Sequence, residues 1–352
     1  GSARRAGGRH DQPLVVVALQ PPGEGAHGVG GAALEVHGDE ASRDVRVGPC
    51  RDAVLHRVEW LLVATPGQWL AGSRPRTLPA AVSPVLAGTA VAAYVDEPVW
   101  WKAALALVVS LALQVGVNYA NDYSDGIRGT DEDRVGPMRL VGSGAAAAGA
   151  VKRAAFLAFG VAGVAGLGLA AATAWWLLAV GAVCVLAAWF YTGGSRPYGY
   201  LGLGEVMVFV FFGLVAVVGT TYVQTRTWEP AALWAAVGIG ALACAILVVN
   251  NLRDIPTDTL AGKRTLAVKL GDRGTRTLYA GLVAAAALAV VAVAATTTWW
   301  ALLGLGFLLP SVAGLRTVLG GATGPALVPV LQSTGVAQLV WAVLSGVPLF
   351  WA

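Results

Sequence analysis

Two groups of acids close long apolar runs of this chain. Asn121-Asp122-Tyr123-Ser124-Asp125, followed by Asp131, Glu132 and Asp133, ends one run, and Asn250-Asn251-Leu252-Arg253-Asp254, followed by Asp258, ends another. Acids beside hydrocarbon are costly, so they mark a functional site by default. Spacing of four puts Asn121 with Asp125, and Asn250 with Asp254 and Asp258, on one helical face. Hard oxygen donors of this kind suit Mg2+, which takes a few carboxylates plus substrate phosphates and water. No His or Cys lies nearby to favour zinc. Bases interleave with the acids: Arg128, Arg134 and Arg139 in the first group, Arg253, Lys263, Arg264 and Lys269 in the second. Guanidinium forks and ammonium groups beside metal-binding acids could grip a polyanion through its phosphate oxygens. The two matching clusters therefore predict one site, assembled from both halves of the chain.

The elements that must position these residues are membrane helices. Of 352 residues, 56% are hydrophobic and only 12% charged, with mean hydropathy +0.66. A soluble domain carries about 25% charge. Forty-six glycines fit helices packed closely in lipid. Apolar runs of a length to cross about 30 Å of hydrocarbon are expected near 77–95, 100–121, 153–173, 175–192, 203–223, 231–251, 278–296, 299–319 and 326–350. Their flanks alternate in charge. Arg74, Arg76, Arg128, Arg134, Arg139, Lys152, Arg153, Arg196, Arg253, Lys263, Arg264, Lys269, Arg273, Arg276 and Arg316 fall on one side, against Lys102 and Arg226 on the other. The bias predicts cytoplasmic active-site loops and N-terminus, with the C-terminus outside. Trp100, Trp101, Trp175, Trp176, Trp228, Trp299 and Trp300 sit at the opposite span ends, as an interfacial belt would. Cys50, Cys184 and Cys244 show neither disulfide nor metal-ligand spacing. The net charge of +4 is spread over span flanks and gives no case for nucleic acid as a partner.

Residues 1–62 differ in kind. They contain all four histidines, no lysine and no spanning run, and the short patch Leu14–Leu19 is no signal peptide. They read as a disordered or non-native leader, with the native start near Val63 and one transmembrane domain over 63–352.

The motifs resemble those of the UbiA superfamily of intramembrane prenyltransferases. Asn121-Asp-x-x-Asp125 and Asp254-x3-Asp258 carry the resemblance. Asn121–Asp131 with Arg139-Leu-Val-Gly-Ser143, Asn250–Asp258 with Gly262-Lys-Arg-Thr265, and Gln68–Pro79 are similar to its MenA branch. Gly129 stands where the broad pattern has its last Asp, and Asp131 or Asp133 takes its place. The resemblance implies an all-α bundle of about nine transmembrane helices around a central cavity open to lipid. It implies Mg2+-dependent transfer of a polyprenyl group from polyprenyl diphosphate to 1,4-dihydroxy-2-naphthoate, with loss of diphosphate and CO2, at a bacterial cell membrane. The product would be demethylmenaquinone, in menaquinone biosynthesis. Asp122, Asp125, Asp254 and Asp258 would be catalytic and, with Asp131, would hold the metal. Asn118, Asn121, Arg128, Arg134, Arg139, Tyr191, Arg196, Asn250, Lys263 and Lys269 would bind substrate, with Tyr198 beside them. Partners would be the two substrates and membrane lipid.

Two other classes fit less well. A CDP-alcohol phosphotransferase shares Asp122-x2-Asp125-Gly126, but Gly129 and Thr130 replace the Ala-Arg it requires. A secondary transporter would place its acids near the bilayer midplane, not at span ends on one face.

Overall fold

The computed structural model describes residues 64–129 and 138–352; the expected 1–62 leader and Asp131, Asp133 and Arg134 lie outside them. The described residues are helical throughout, without a strand. In chain order the elements are α1 (Pro66–Gly72), α2 (Pro79–Val95), α3 (Trp100–Gly126), α4 (Ala148–Ala172), α5 (Leu177–Phe190), α6 (Gly204–Thr225), α7 (Pro230–Leu260), α8 (Leu266–Thr296), α9 (Trp299–Leu319) and α10 (Gly324–Phe350). Seven of these are long and apolar enough to cross a membrane, and Pro66–Thr77 with α2, bent by 50°, form a broken span or a re-entrant loop that brings the number up to eight if it crosses. The chain is a multi-pass membrane protein. The fourth expected span, 175–192, is the short one: α5 has 14 residues, about 21 Å of helix.

The helices run past the expected span ends into the motifs. α3 continues to Gly126, where a Cβ would meet Val141 Cγ1 at 2.4 Å. α7 opens on Pro230, a residue suited to the first helical position, and continues to Leu260. Asp122, Asp125, Asp254 and Asp258 therefore stand on rigid helix, each held by the i to i−4 ladder. The stretch between the expected spans 231–251 and 278–296 is the end of α7, a tight turn and the start of α8. Thr265 caps α8, its hydroxyl accepting from Val268 N at 3.4 Å, and Gly271 (φ 70, ψ 178) kinks it.

The core packs α7 against α8 and α10. Ile239, Leu242, Tyr279 and Trp341 are fully buried there, and the Trp341 indole donates to the Ala286 carbonyl at 2.9 Å. α6 is α-helical only at its ends, with a π-helix over Phe209–Val218. Where it crosses α7, a Cβ on Gly213 would lie 2.7 Å from Ala236 O and 2.9 Å from Gly240 Cα. Only glycine permits that backbone approach.

The acid-bearing ends of α3 and α7 define the motif end of the bundle. At the opposite end all seven belt tryptophans are exposed, and the buried Lys102 ammonium donates to the Val223 carbonyl at 2.7 Å.

Candidate active site

On α3 the polar residues fan out to different neighbours. Asn118 donates to Ser73 O at 2.9 Å and Thr77 Oγ1 at 3.2 Å, fastening the α1–α2 elbow. Asn121 Oδ1 accepts from the Thr192 hydroxyl at 2.8 Å. Asp122 is buried and accepts backbone amides with both oxygens, Leu140 N at 2.7 Å and Val141 N at 3.1 Å. That clasp brings the preceding residue, Arg139, to the site: its Nη1 is 3.7 Å from Asp125 Oδ2.

Asp125 is the meeting point. It accepts a short hydrogen bond from the Tyr200 hydroxyl, and Lys263 Nζ lies 3.9 Å from its Oδ1. The same ammonium sits 4.6 Å from the centre of the Tyr200 ring. Lys263 also ties in the second motif, since its backbone N–H donates to the Asp258 carbonyl at 2.8 Å. The two motif regions thus come together at Lys263.

Within the second cluster Arg253 forks Asp254, Nε to Oδ1 at 2.7 Å and Nη2 to Oδ2 at 2.9 Å. Its Nη2 also donates to Asn250 Oδ1 at 2.9 Å. Arg253 Nη1 is buried with no hydrogen-bond partner among the described residues, a donor poised for an anion. Asp258 is buried one turn further on.

The segment between α5 and α6 closes the site. Arg128 donates to the Thr192 and Gly194 carbonyls, holding this segment rather than pointing away from it. Lys269 Nζ donates to Leu201 O at 2.6 Å and Arg264 N to Tyr200 O at 2.9 Å. Gly202 makes the turn possible, because its φ of 79 is a conformation that residues with a Cβ rarely adopt, and a Cβ there would also sit 3.1 Å from the Arg264 carbonyl oxygen. Tyr191 and Tyr198 pack edge to face with centroids 5.5 Å apart. Burial pushes the Tyr198 hydroxyl pKa up, so it remains a donor, to Ala187 O at 2.7 Å. Arg196 is exposed.

Sequence reading passed over three site-region residues. Tyr200 lies two residues beyond Tyr198, and the Tyr-Gly-Tyr repeat was its only signal. Glu205 is a buried acid whose Oε1 accepts from Asn251 Nδ2 at 2.9 Å, while its Oε2 has no partner among the described residues. Gln114, two turns before Asp122, is buried on the same face of α3.

An apolar cavity of about 340 Å3 begins one helical turn from Asp125. Asn118, Asn121, Tyr191 and Tyr198 line its motif end, and residues of α3, α4, α5 and the π-helical stretch of α6 form its walls. Among the described residues no three His, Cys, Asp or Glu side chains lie close enough to hold a metal by themselves. The donor chemistry nonetheless fits Mg2+. Asp125, Asp254 and Asp258 are buried oxygen donors, and Mg2+ completes its shell with water and substrate phosphate.

The profile of the UbiA prenyltransferase family matches residues 81–319. The 1,4-dihydroxy-2-naphthoate octaprenyltransferase of Mycobacterium tuberculosis is 54% identical over 280 residues, covering 80% of this chain and 96% of the relative. The fold is similar to that of a UbiA homolog from Aeropyrum pernix, with TM-score 0.61 at 12% identity, covering 78% of this chain and 98% of that one. It is also similar to a UbiA homolog from Archaeoglobus fulgidus bound to DMAPP and Mg2+, with TM-score 0.50 at 15% identity, covering 81% and 99%. The apolar helices, the paired acidic motifs and these likenesses agree: the chain belongs to the UbiA prenyltransferase family.

Proposed function

We propose that the protein transfers a polyprenyl group from polyprenyl diphosphate to 1,4-dihydroxy-2-naphthoate, releasing diphosphate and CO2. The carrying observation is the junction of polar and apolar: Lys263, in the turn after α7, reaches the buried Asp125 of α3, one turn from a cavity walled mainly by hydrocarbon. A diphosphate with a long apolar tail has that same division. The name of the Mycobacterium tuberculosis relative supports the acceptor.

Asp125, Asp254 and Asp258 would hold Mg2+, with Asp131 completing the set. When bound, the metal would neutralise the diphosphate and make it a better leaving group. Lys263, Arg139 and the unpartnered Nη1 of Arg253 would grip phosphate oxygens and stabilise the charge that grows as the allylic C–O bond breaks. Arg134 would join them, while Arg128, Lys269 and Asn118 hold the backbone around the site. Asp122 serves as a positioning residue through its hold on 140–141. The cavity walls exclude water, so the allylic cation meets the ring carbon and is not hydrolysed. The electron-rich dihydroxy ring forms the new C–C bond at its carboxyl-bearing carbon, and the carboxylate departs as CO2. Tyr191, Asn121 and Asn250 would position the ring within about 3–3.5 Å of the allylic carbon. By the charge bias of the flanks, the motif end faces the cytoplasm.

The test is a membrane assay with a defined prenyl diphosphate and carboxyl-labelled naphthoate. The expected result is stoichiometric release of label with formation of the decarboxylated product, and little product from 4-hydroxybenzoate. Retention of the label in the prenylated product would overturn the acceptor assignment.

A further inference from the structure

The cavity holds a feature that the reaction at its mouth does not require. Three glycines line it, one on each of three helices: Gly166 on α4, Gly181 on α5 and Gly219 on α6. At each of them an added Cβ would meet no atom within 4 Å. Helix–helix packing therefore does not explain them, unlike Gly213, which backbone contact requires.

Their depth is fixed by topology. α4 and α6 run from the motif end to the opposite end, and α5 runs back. Gly166 stands six residues before Ala172, Gly219 six before Thr225, and Gly181 four after Leu177. At 1.5 Å per residue, all three lie about 6–9 Å from the opposite end of their helices. On α3, which begins at Trp100, that depth corresponds to residues 104–106, while Asn121 marks the mouth. The cavity therefore extends about 22 Å along α3, from Asn121 to Ala106. An extended chain advances about 1.2 Å per backbone bond, so a prenyl unit of four bonds spans roughly 4.7 Å. A tail of two units ends near 9 Å, well short of the glycines, while the fifth unit, ending at roughly 23 Å, reaches them.

We infer that Gly166, Gly181 and Gly219 set the length of prenyl tail the enzyme accepts, by keeping the deep end of the cavity clear for the fifth unit and beyond. This rests on the prenyl-transfer reading above. Gln114 lies between mouth and glycines as a buried lining residue whose Oε1 has no partner among the described residues. Apart from it, Ser110, Cys184 and Thr220, the wall that the tail passes is hydrocarbon.

The experiment uses the full chain in detergent or membranes, with geranyl diphosphate (two units) and octaprenyl diphosphate (eight units) as donors. Gly181→Leu and Gly219→Leu are compared with Gly163→Leu, which adds the same side chain on α4 at an exposed glycine outside the cavity. The cavity variants should keep their kcat/KM for the two-unit donor. Their kcat/KM for the eight-unit donor should fall by about tenfold or more, the scale on which a pocket rejects bulk it cannot hold. Gly163→Leu should leave the ratio of the two unchanged. Cavity variants that are folded and active with an unaltered ratio overturn the inference, and so does an equal loss with both donors in monodisperse protein. A different failure would be wild-type protein that releases no diphosphate from either donor, which overturns the prenyl-transfer reading itself.

Discussion

Tyr200→Phe isolates one hydrogen bond at the centre of the site. The hydroxyl donates to Asp125 Oδ1, and its loss leaves the ring in place beneath the Lys263 ammonium, 4.6 Å away. Arg139 and Lys263, at 3.7 and 3.9 Å, are too far to replace it as direct hydrogen bonds. A hydrogen bond to a charged group is worth about 1.5–3 kcal/mol, which at 1.4 kcal/mol per decade is roughly a 10- to 150-fold effect. If that energy holds Asp125 in its productive rotamer, kcat/KM for diphosphate release should fall by roughly that factor, with a higher Mg2+ requirement. Tyr200→Leu removes the cation–π contact as well, worth about 0.5–2 kcal/mol, and should be worse. The assay is single-turnover diphosphate release across a Mg2+ series, paired with thermal denaturation in detergent. A Tyr200→Phe enzyme within twofold of wild type at limiting Mg2+ would refute the reasoning. So would a rate loss matched by loss of folded protein.

Three further outcomes are expected. Asp254→Asn should abolish turnover and also destabilise the fold by about 3–5 kcal/mol, because it breaks a buried pair and strands the Arg253 charge; a denaturation series reads the second effect. Asp122→Asn should keep the helix but turn an amide nitrogen toward one of the two N–H groups its carboxylate accepts, lowering stability by about 1–3 kcal/mol while retaining measurable turnover, unlike Asp125→Asn, which should retain none. Chelation of divalent metal should stop diphosphate release, and Mg2+ should restore it; full activity in excess chelator would count against Asp125, Asp254 and Asp258 as ligands.

The membrane class, the bundle and the two motifs were legible in the sequence because each depends on local chemistry. Runs of hydrocarbon must be buried in lipid and must satisfy their own backbone groups, which makes them helices. Acids at the ends of such runs are too costly to persist without use, and a spacing of four reports the helical face directly. The short α5 and the α-to-π transition at Phe209 were not legible, since an apolar run carries no mark of how far it continues as ideal helix. The sequence also gave no division of labour among the site residues. Asp122 and Asp125 are three apart on one helix and look equivalent as letters. One is committed to the amides of 140–141 and the other to Tyr200, because chain segments far apart in sequence arrive on different sides of α3. Lys263 joins the motifs only because the 261–265 turn folds back over α3, and Arg128 holds the 192–194 segment only because α5 ends beside it. The cavity and its three glycines belong wholly to tertiary structure: whether a glycine serves packing or empty space depends on what stands opposite, and no local pattern records that.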